Sequence, residues 1–221
     1  RWQDAITAID AGARELKTPS ARLEFLRARA HDGLDEIEPA IAHYKKAIEL
    51  DKQNPEPMLS LGRLYERIGQ GGKQAMPVYQ VAIAAAPDNM RARECLVRLF
   101  LNEAARSGEL TGRAAAEVKD MQRMAAEDPA TVRTVALMKL IEEGESGRKA
   151  YLDALRTLVQ NRPDDSRSRE DLIATLLMFR EYAEALDQAR ELSKRQSCSA
   201  EAGELLATAH IRLLDFSAAA Q

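Results

Sequence analysis

The chain has 221 residues, of which 45% are hydrophobic, 5% aromatic and 30% charged, and its formal net charge is −3. Nearly balanced charge argues against nucleic-acid binding, which usually needs a strongly basic surface, and against a polybasic membrane anchor. The longest apolar runs, such as residues 81–86, are far too short to span a bilayer. Abundant alanine, leucine, glutamate and arginine, with few aromatic and β-branched residues, favours an all-α protein.

Periodic apolar residues predict about twelve helices along the chain. We expect them at 2–16, 20–31, 37–50, 56–68, 73–86, 89–105, 110–127, 130–143, 147–161, 166–179, 182–195 and 200–213. Ser-Gly and Thr-Gly pairs predict an irregular insertion near 103–113. Asp164 and Asp165 follow a proline and precede Ser166, the expected N-cap of the tenth helix, where acidic residues complement the helix dipole.

An internal repeat is the strongest signal in the sequence. Four residues recur at an offset of 35: Ala40, Tyr44, Ala47 and Ile48, then Ala75, Tyr79, Ala82 and Ile83. A weaker copy consists of Ala185, Ala189 and Leu192. Between the first two copies, one helical face carries Met58, Leu61, Gly62 and Tyr65. Three prolines continue the phase toward the C-terminus: Pro87, Pro129 and Pro163.

These residues resemble the tetratricopeptide repeat (TPR), a helix–turn–helix unit of 34 residues. The family pattern is filled in order by Met58, Leu61, Gly62, Tyr65, Ala75, Tyr79, Ala82 and Pro87, with one extra residue in the glycine-rich turn. The resemblance implies a right-handed superhelical solenoid of antiparallel helix pairs, each with a helix A and a helix B. Small residues let the helices approach closely, and stacked neighbours bury one continuous core.

The repeat pattern covers nearly the whole chain, which predicts a single TPR-like domain over 1–221. Both ends fall partway through a repeat, and neither end shows a clear polar capping face. We therefore expect the sequence to be a fragment of a longer repeat protein.

The chemistry-bearing residues do not form a recognisable active site. The three histidines, His31, His43 and His210, lack ligand-spaced partners and are expected to be solvated or capping. Cys95 and Cys198 lie more than 100 residues apart, so they suit small buried hydrophobes better than a disulfide framework. No cofactor or metal is expected, and the sequence predicts a protein that is not an enzyme.

A glycine-rich run at residues 69–74 invites comparison with a phosphate-binding loop. Arg67 stands where that motif needs its first glycine, and Gln74 stands where it needs serine or threonine. No predicted strand precedes the run. It is interpreted as the turn between two helices, where glycines supply positive φ.

Partner binding is the function that the resemblance implies, with a peptide or helical segment lying in a concave groove lined by helix A. The predicted groove-facing sets are Glu56, Leu59, Arg63 and Glu66; Arg91, Glu94, Arg98 and Leu101; Arg133, Ala136, Leu140 and Glu143; and Arg167, Glu170, Ala174 and Leu177. The candidate ligand-binding residues among them are Arg63, Arg91, Glu94, Arg98, Arg133 and Arg167. Leu59 and Arg63 stand where some family members place a lysine and an asparagine that clamp a terminal carboxylate, so that clamp is not predicted.

Arg91, Arg133 and Arg167 occupy one repeat position and form a candidate ladder for the carboxylates of an extended acidic ligand. The alternative is a solvated helix face, with Glu94 and Glu170 as local partners.

Three functions remain open at this stage. The first is a non-enzymatic scaffold for a protein or peptide partner. The second is a structural spacer or self-association domain of a larger envelope or secretion protein, with homo-oligomers formed through the incomplete terminal repeats. The third is an accessory domain of an enzyme that lies outside the fragment. The loop near 103–113 is either a second contact surface or simply flexible, and both cytoplasm and periplasm remain open.

Overall fold

The computed structural model describes residues 2–15, 19–107, 112–194 and 207–213. These residues contain α-helices, one short π-helical segment and no strand. The α-helices are α1 (Trp2–Glu15), α2 (Ala21–Gly33), α3 (Ile37–Leu50), α4 (Pro55–Arg67), α5 (Met76–Ala85), α6 (Met90–Ser107), α7 (Gly112–Ala125), α8 (Pro129–Glu143), α9 (Glu145–Asn161), α10 (Ser166–Met178) and α11 (Tyr182–Ser193). Residues 207–213 are also helical, within the predicted twelfth helix.

The chain divides into two compact units, Arg1–Ala126 and Glu127–Gln221. In the first unit each helix from α1 to α6 packs against the next one along the chain, and α4 also contacts α6. In the second unit α8 packs on α9, α9 on α10, and α10 on α11. Each unit is therefore built of successive helix pairs, with α2, α4, α6, α8 and α10 as the first helix of a pair.

Three of the turns inside these pairs share one backbone conformation. A residue with positive φ follows the first helix in each case: Asp35 (60°), Gly69 (76°) and Arg180 (66°). The next backbone N–H donates to a carbonyl five residues earlier, at 2.9, 2.7 and 2.9 Å respectively. This is the hydrogen bond that closes a Schellman-type helix end. Positive φ was predicted in the glycine-rich turn, and Gly69 confirms it.

That turn differs from the prediction in one respect. Residues Gly71–Ala75 form a π-helical segment, so α5 begins at Met76 instead of near residue 73. A π-helical segment makes room for the extra residue that this repeat carries relative to the 34-residue pattern.

The left-handed positions give a stability prediction that does not depend on packing. Arg180 is exposed, and a side chain at its φ of 66° is strained, so Arg180→Gly should raise the free energy of unfolding by about 1 kcal/mol. Gly69→Ala should lower it by about 1 kcal/mol for the same reason, since a β-carbon there meets nothing within 4 Å. Urea titrations of both variants measure the two shifts, and shifts of the same sign would contradict the explanation.

Helix starts follow the expected side-chain chemistry. Ser20, Asn54, Asp128 and Asp165 each precede a helix and accept a hydrogen bond from one of its first N–H groups. At α10 the cap is Asp165 and not Ser166 as predicted, because the Asp165 carboxylate accepts from the Ser168 N–H at 3.3 Å and Ser166 is the first helical residue.

Near 103–113, the described residues are helical. Helix α6 continues to Ser107, two residues beyond its expected end, and α7 begins at Gly112. Residues 108–111 lie outside the described part of the chain, so the irregular insertion stays a prediction for those positions.

The repeat residues form the core of the first unit. Six of the side chains in the TPR-like pattern are at most 4% exposed: Met58, Leu61, Tyr65, Ala75, Tyr79 and Ala82. At Gly62 the helices approach so closely that a β-carbon would lie 2.3 Å from Cε1 of Tyr79. In the second unit the weaker copy is buried as well, at Ala185, Ala189 and Leu192. Small residues thus permit close helix contact, as the pattern predicted.

Candidate partner-binding surface

Two ion pairs join α4 to α6 in the first unit. The Arg91 guanidinium lies 3.5 Å from the Glu56 carboxylate, and the Arg98 guanidinium lies 3.4 Å from Glu66. Both arginine side chains are about one-third exposed, at 36% and 37%. Partly exposed pairs of this length contribute about 0–1 kcal/mol. These ion pairs hold two of the predicted arginines, both on α6, against α4, and both side chains remain partly accessible to solvent.

A similar connection joins α2 to α4. The Arg67 guanidinium pairs with Asp32, and it donates a 2.6 Å hydrogen bond to Asp35. These two carboxylates raise the pKa of Arg67 above its ordinary value, chiefly through the hydrogen bond to Asp35. Helices α2, α4 and α6 are thus connected in sequence by arginine–carboxylate contacts.

Tyrosines on the second helices, α3 and α5, donate hydrogen bonds to two of these carboxylates. The Tyr44 hydroxyl donates to Asp32 at 3.1 Å, and the Tyr79 hydroxyl donates to Glu66. Burial, together with the neighbouring negative charge, raises the pKa of both tyrosines above the usual range. Their hydroxyls therefore remain protonated donors that orient the carboxylates.

Three arginines occupy equivalent positions on α2, α4 and α6. The positive-φ residues Asp35 and Gly69 are 34 apart, and the same offset relates Arg29 to Arg63. The N-cap residues of α4 and α6, Asn54 and Asn89, are 35 residues apart, and the same offset separates Arg63 from Arg98. We call Arg29, Arg63 and Arg98 the arginine row. Sequence reasoning identified the last two but missed Arg29, although its spacing from Arg63 was a usable signal.

Arg29 and Arg63 differ from Arg98, the third member of the arginine row, in their partners. The Arg29 guanidinium carbon lies 6.0 Å from the centroid of the Phe25 ring, and the Arg63 Nε donates to the Leu59 carbonyl at 3.4 Å. Neither side chain forms an ion pair with a residue in the described ranges. Arg29 is exposed and Arg63 half-buried, so both offer hydrogen-bond donors to a ligand.

Several residues expected on an open groove are buried instead. Leu59, Leu101 and Ala136 are at most 6% exposed, so the prediction that they face solvent is wrong. Glu94 is 9% exposed. Leu59, Glu94 and Ala136 hold the same repeat position on α4, α6 and α8, so this position lies on the packed side of the first helix.

In the second unit, Arg133 of α8 forms polar contacts with side chains of α10. It is 7% exposed, its Nη1 donates to the Ser168 hydroxyl at 3.0 Å, and its Nε lies 3.3 Å from the Asp171 carboxylate. Arg167 is half-buried at the start of α10. Because Arg133 is enclosed by internal contacts, it offers little to a ligand, and Arg91 of the same predicted ladder belongs to the other unit.

Two histidines form a polar cluster at the first helix pair. The His31 and His43 rings stack with centroids 5.2 Å apart. His31 shares a 2.5 Å hydrogen bond with Glu36, and His43 shares a 2.7 Å bond with Glu24. Burial alone would raise the pKa of Glu24, but hydrogen bonds from His43 and Lys46 outweigh it and lower that pKa.

The expectation of solvated or capping histidines is therefore wrong for His31 and His43, whereas His210 is exposed. Among the residues that the structure describes, no group of three or more histidine, cysteine or acidic side chains suits a metal ion. Cys95 is buried, as expected, and Cys198 lies outside the described ranges.

Successive antiparallel pairs with small residues at their crossings define an α-helical repeat protein. Within it, residues 34–69 match the family model described as TPR repeat. This region contains α3 and α4, and so only the first helix of the best-matching repeat, Met58–Pro87. A comparison with curated proteins gives no match.

Solved TPR structures share the fold. A thermophilic TPR protein from Thermus thermophilus is 16% identical over 88% of this chain and 100% of that chain, with a TM-score of 0.62. A tetratricopeptide repeat protein from Parabacteroides merdae is 13% identical over 96% and 80%, with a TM-score of 0.55. Yeast Tom70 is 13% identical over 96% of this chain but only 43% of its own, with a TM-score of 0.59. The predicted all-α, TPR-like fold class is confirmed.

This fold is typical of protein–protein interaction scaffolds. In the described part of the chain, no helix is both long and apolar enough to cross a membrane.

Proposed function

We propose that the protein is a non-enzymatic scaffold that binds a peptide or helical segment of a partner across α2, α4 and α6. The observation that supports this most is the arginine row, which repeats one functional group on three neighbouring helices. A peptide that lies across these helices meets an arginine on each of them. Side chains at regular spacing along the peptide can therefore make the same contact with each helix.

The ion pairs beside the row fit such a role. The contacts Arg91–Glu56 and Arg98–Glu66 are 3.5 and 3.4 Å long and partly exposed. Pairs of this kind contribute little to stability, so a ligand can exchange with them at small cost. The hydrogen bond from the buried Tyr79 hydroxyl would keep Glu66 in place during such an exchange.

A peptide-display selection against the whole chain tests the proposal. Peptides that bind this surface should lose at least about tenfold in affinity when Arg63→Glu and Arg91→Glu are combined, because the two changes remove guanidinium donors and reverse the charge of the surface. Arg123→Glu with Arg190→Glu is the matched control, since both arginines lie on second helices and, among the described residues, each forms its ion pair within its own helix. Equal affinity for both double variants would count against this surface.

Sedimentation velocity over a range of concentrations separates the scaffold from a self-association domain. A scaffold stays in one state as concentration rises and shifts only when peptide is added. A concentration-dependent oligomer that also blocks peptide binding would favour self-association.

A further inference from the structure

We infer that the partner segment is acidic and that Arg29 and Arg63 bind two of its carboxylates; this rests on the scaffold function proposed above. These two guanidinium groups stand at equivalent positions on neighbouring helices. They are also the members of the arginine row that form no ion pair with the described residues.

The contrast with the arginines that pair across helices is what makes Arg29 and Arg63 informative. The arginines that pair with a carboxylate of another helix include Arg27, Arg67, Arg91, Arg93, Arg98 and Arg156. The carboxylates nearest to the row along the sequence are Asp32 and Glu66, three residues after Arg29 and Arg63. Both already accept hydrogen bonds from the buried tyrosines and pair with Arg67 and Arg98.

Charge balance supports the same inference. The chain as a whole carries a formal charge of −3, so two arginines without an ion pair among the described residues do not simply reflect a basic composition. Guanidinium groups bind carboxylates with two parallel hydrogen bonds, which makes arginine well suited to this recognition.

The spacing of the helices indicates how the acidic residues are arranged. Arg67 of α4 pairs with Asp32 of α2, so these helices lie side by side at a spacing of about 10 Å, and an extended strand advances about 10 Å in three residues. An extended ligand with carboxylates at every third residue therefore matches the two arginines. A ligand with the same charge gathered at one end reaches only one of them.

Fluorescence anisotropy with labelled synthetic peptides of about twelve residues tests the inference. The probes are a peptide with glutamate at every third position, an isomer with its glutamates clustered, and analogues with glutamine or lysine in place of glutamate. The spaced glutamate peptide should bind at least about tenfold more tightly than the glutamine analogue. Its binding should weaken as salt is raised, because the contacts are between partly exposed charges.

Variants locate the effect on the surface. Arg29→Gln with Arg63→Gln should remove the preference for glutamate, whereas Arg123→Gln with Arg190→Gln removes the same charge and should leave it intact. Arg63→Lys keeps the charge without the bidentate geometry and should retain part of the binding. Circular dichroism of each variant checks folding, and the salt series on the unaltered protein gives an answer even if one variant does not fold.

Each other outcome is decisive. If glutamine or lysine peptides bind equally well and Arg63→Gln weakens them, the acidic inference is wrong and the scaffold function stands. If no synthetic probe peptide and no peptide from the display selection binds, the proposed scaffold function is wrong. If single-stranded DNA or phosphatidylserine vesicles displace the peptide and bind more tightly through the same arginines, the inference of an acidic peptide is overturned.

Discussion

Replacing Gly62 with alanine is expected to lower the free energy of unfolding by about 3 kcal/mol. A β-carbon at this position would lie 2.3 Å from Cε1 and 2.6 Å from Cζ of the Tyr79 ring. Tyr79 is fully buried and donates a hydrogen bond to Glu66, so its ring has nowhere to move without loss of that bond. Urea denaturation followed by circular dichroism measures the change.

A double-mutant cycle with Tyr79→Leu isolates the cause. Leucine removes the two ring atoms that the new methyl group would approach most closely, so Gly62→Ala should cost at least about 1 kcal/mol less in that background. Gly12→Ala is the control, because a β-carbon there meets nothing within 4 Å and alanine favours the helix by about 1 kcal/mol. Equal costs in both backgrounds would mean that the Tyr79 contact is not responsible.

The second large effect is expected from Gly147→Ala, also at about 3 kcal/mol or more. The new β-carbon would lie 2.7 Å from the Lys139 carbonyl oxygen and 2.8 Å from the Leu140 α-carbon. Both are backbone atoms of α8, so no side-chain rotation relieves the overlap. Helices α8 and α9 would have to separate, which would expose part of the apolar core that includes Leu152 and Leu155.

Lys149→Ala serves as the control for this variant, since Lys149 is exposed on the same helix. Its effect should stay within about 0.5 kcal/mol. Differential scanning calorimetry should show a lower transition temperature for Gly147→Ala alone. A transition unchanged from that of the parent protein would show that α9 can shift without loss of packing.

These two glycines show what the sequence could and could not predict. Gly62 belongs to a side-chain pattern with Leu61 and Tyr65, so its role in close packing was predictable. Gly147 contacts backbone, which has no sequence signature, and the repeat pattern is too weak in α8 and α9 to indicate it. Helix positions were predicted within a few residues because apolar periodicity and capping residues are local properties of the chain.

The surface was harder to predict than the fold. Arg133 was expected to bind a ligand, yet Ser168 and Asp171 on the neighbouring helix enclose it. The stacking of His31 on His43 depends on how α2 crosses α3, which a linear pattern does not specify. The organisation of residues 1–221 as one domain stays a prediction, as do the ligand roles of Arg91 and Arg167.

The tyrosine–carboxylate–arginine contacts have a consequence for how the first unit unfolds. Glu66 is held by Tyr79 of its own helix pair and also by Arg98 of the following pair, and Asp32 is shared in the same way by Tyr44 and Arg67. Loss of one pair would leave a carboxylate of the preceding pair without its cation. Neighbouring helix pairs therefore depend on each other for ion pairs as well as for apolar contacts. This dependence makes unfolding of the array more cooperative.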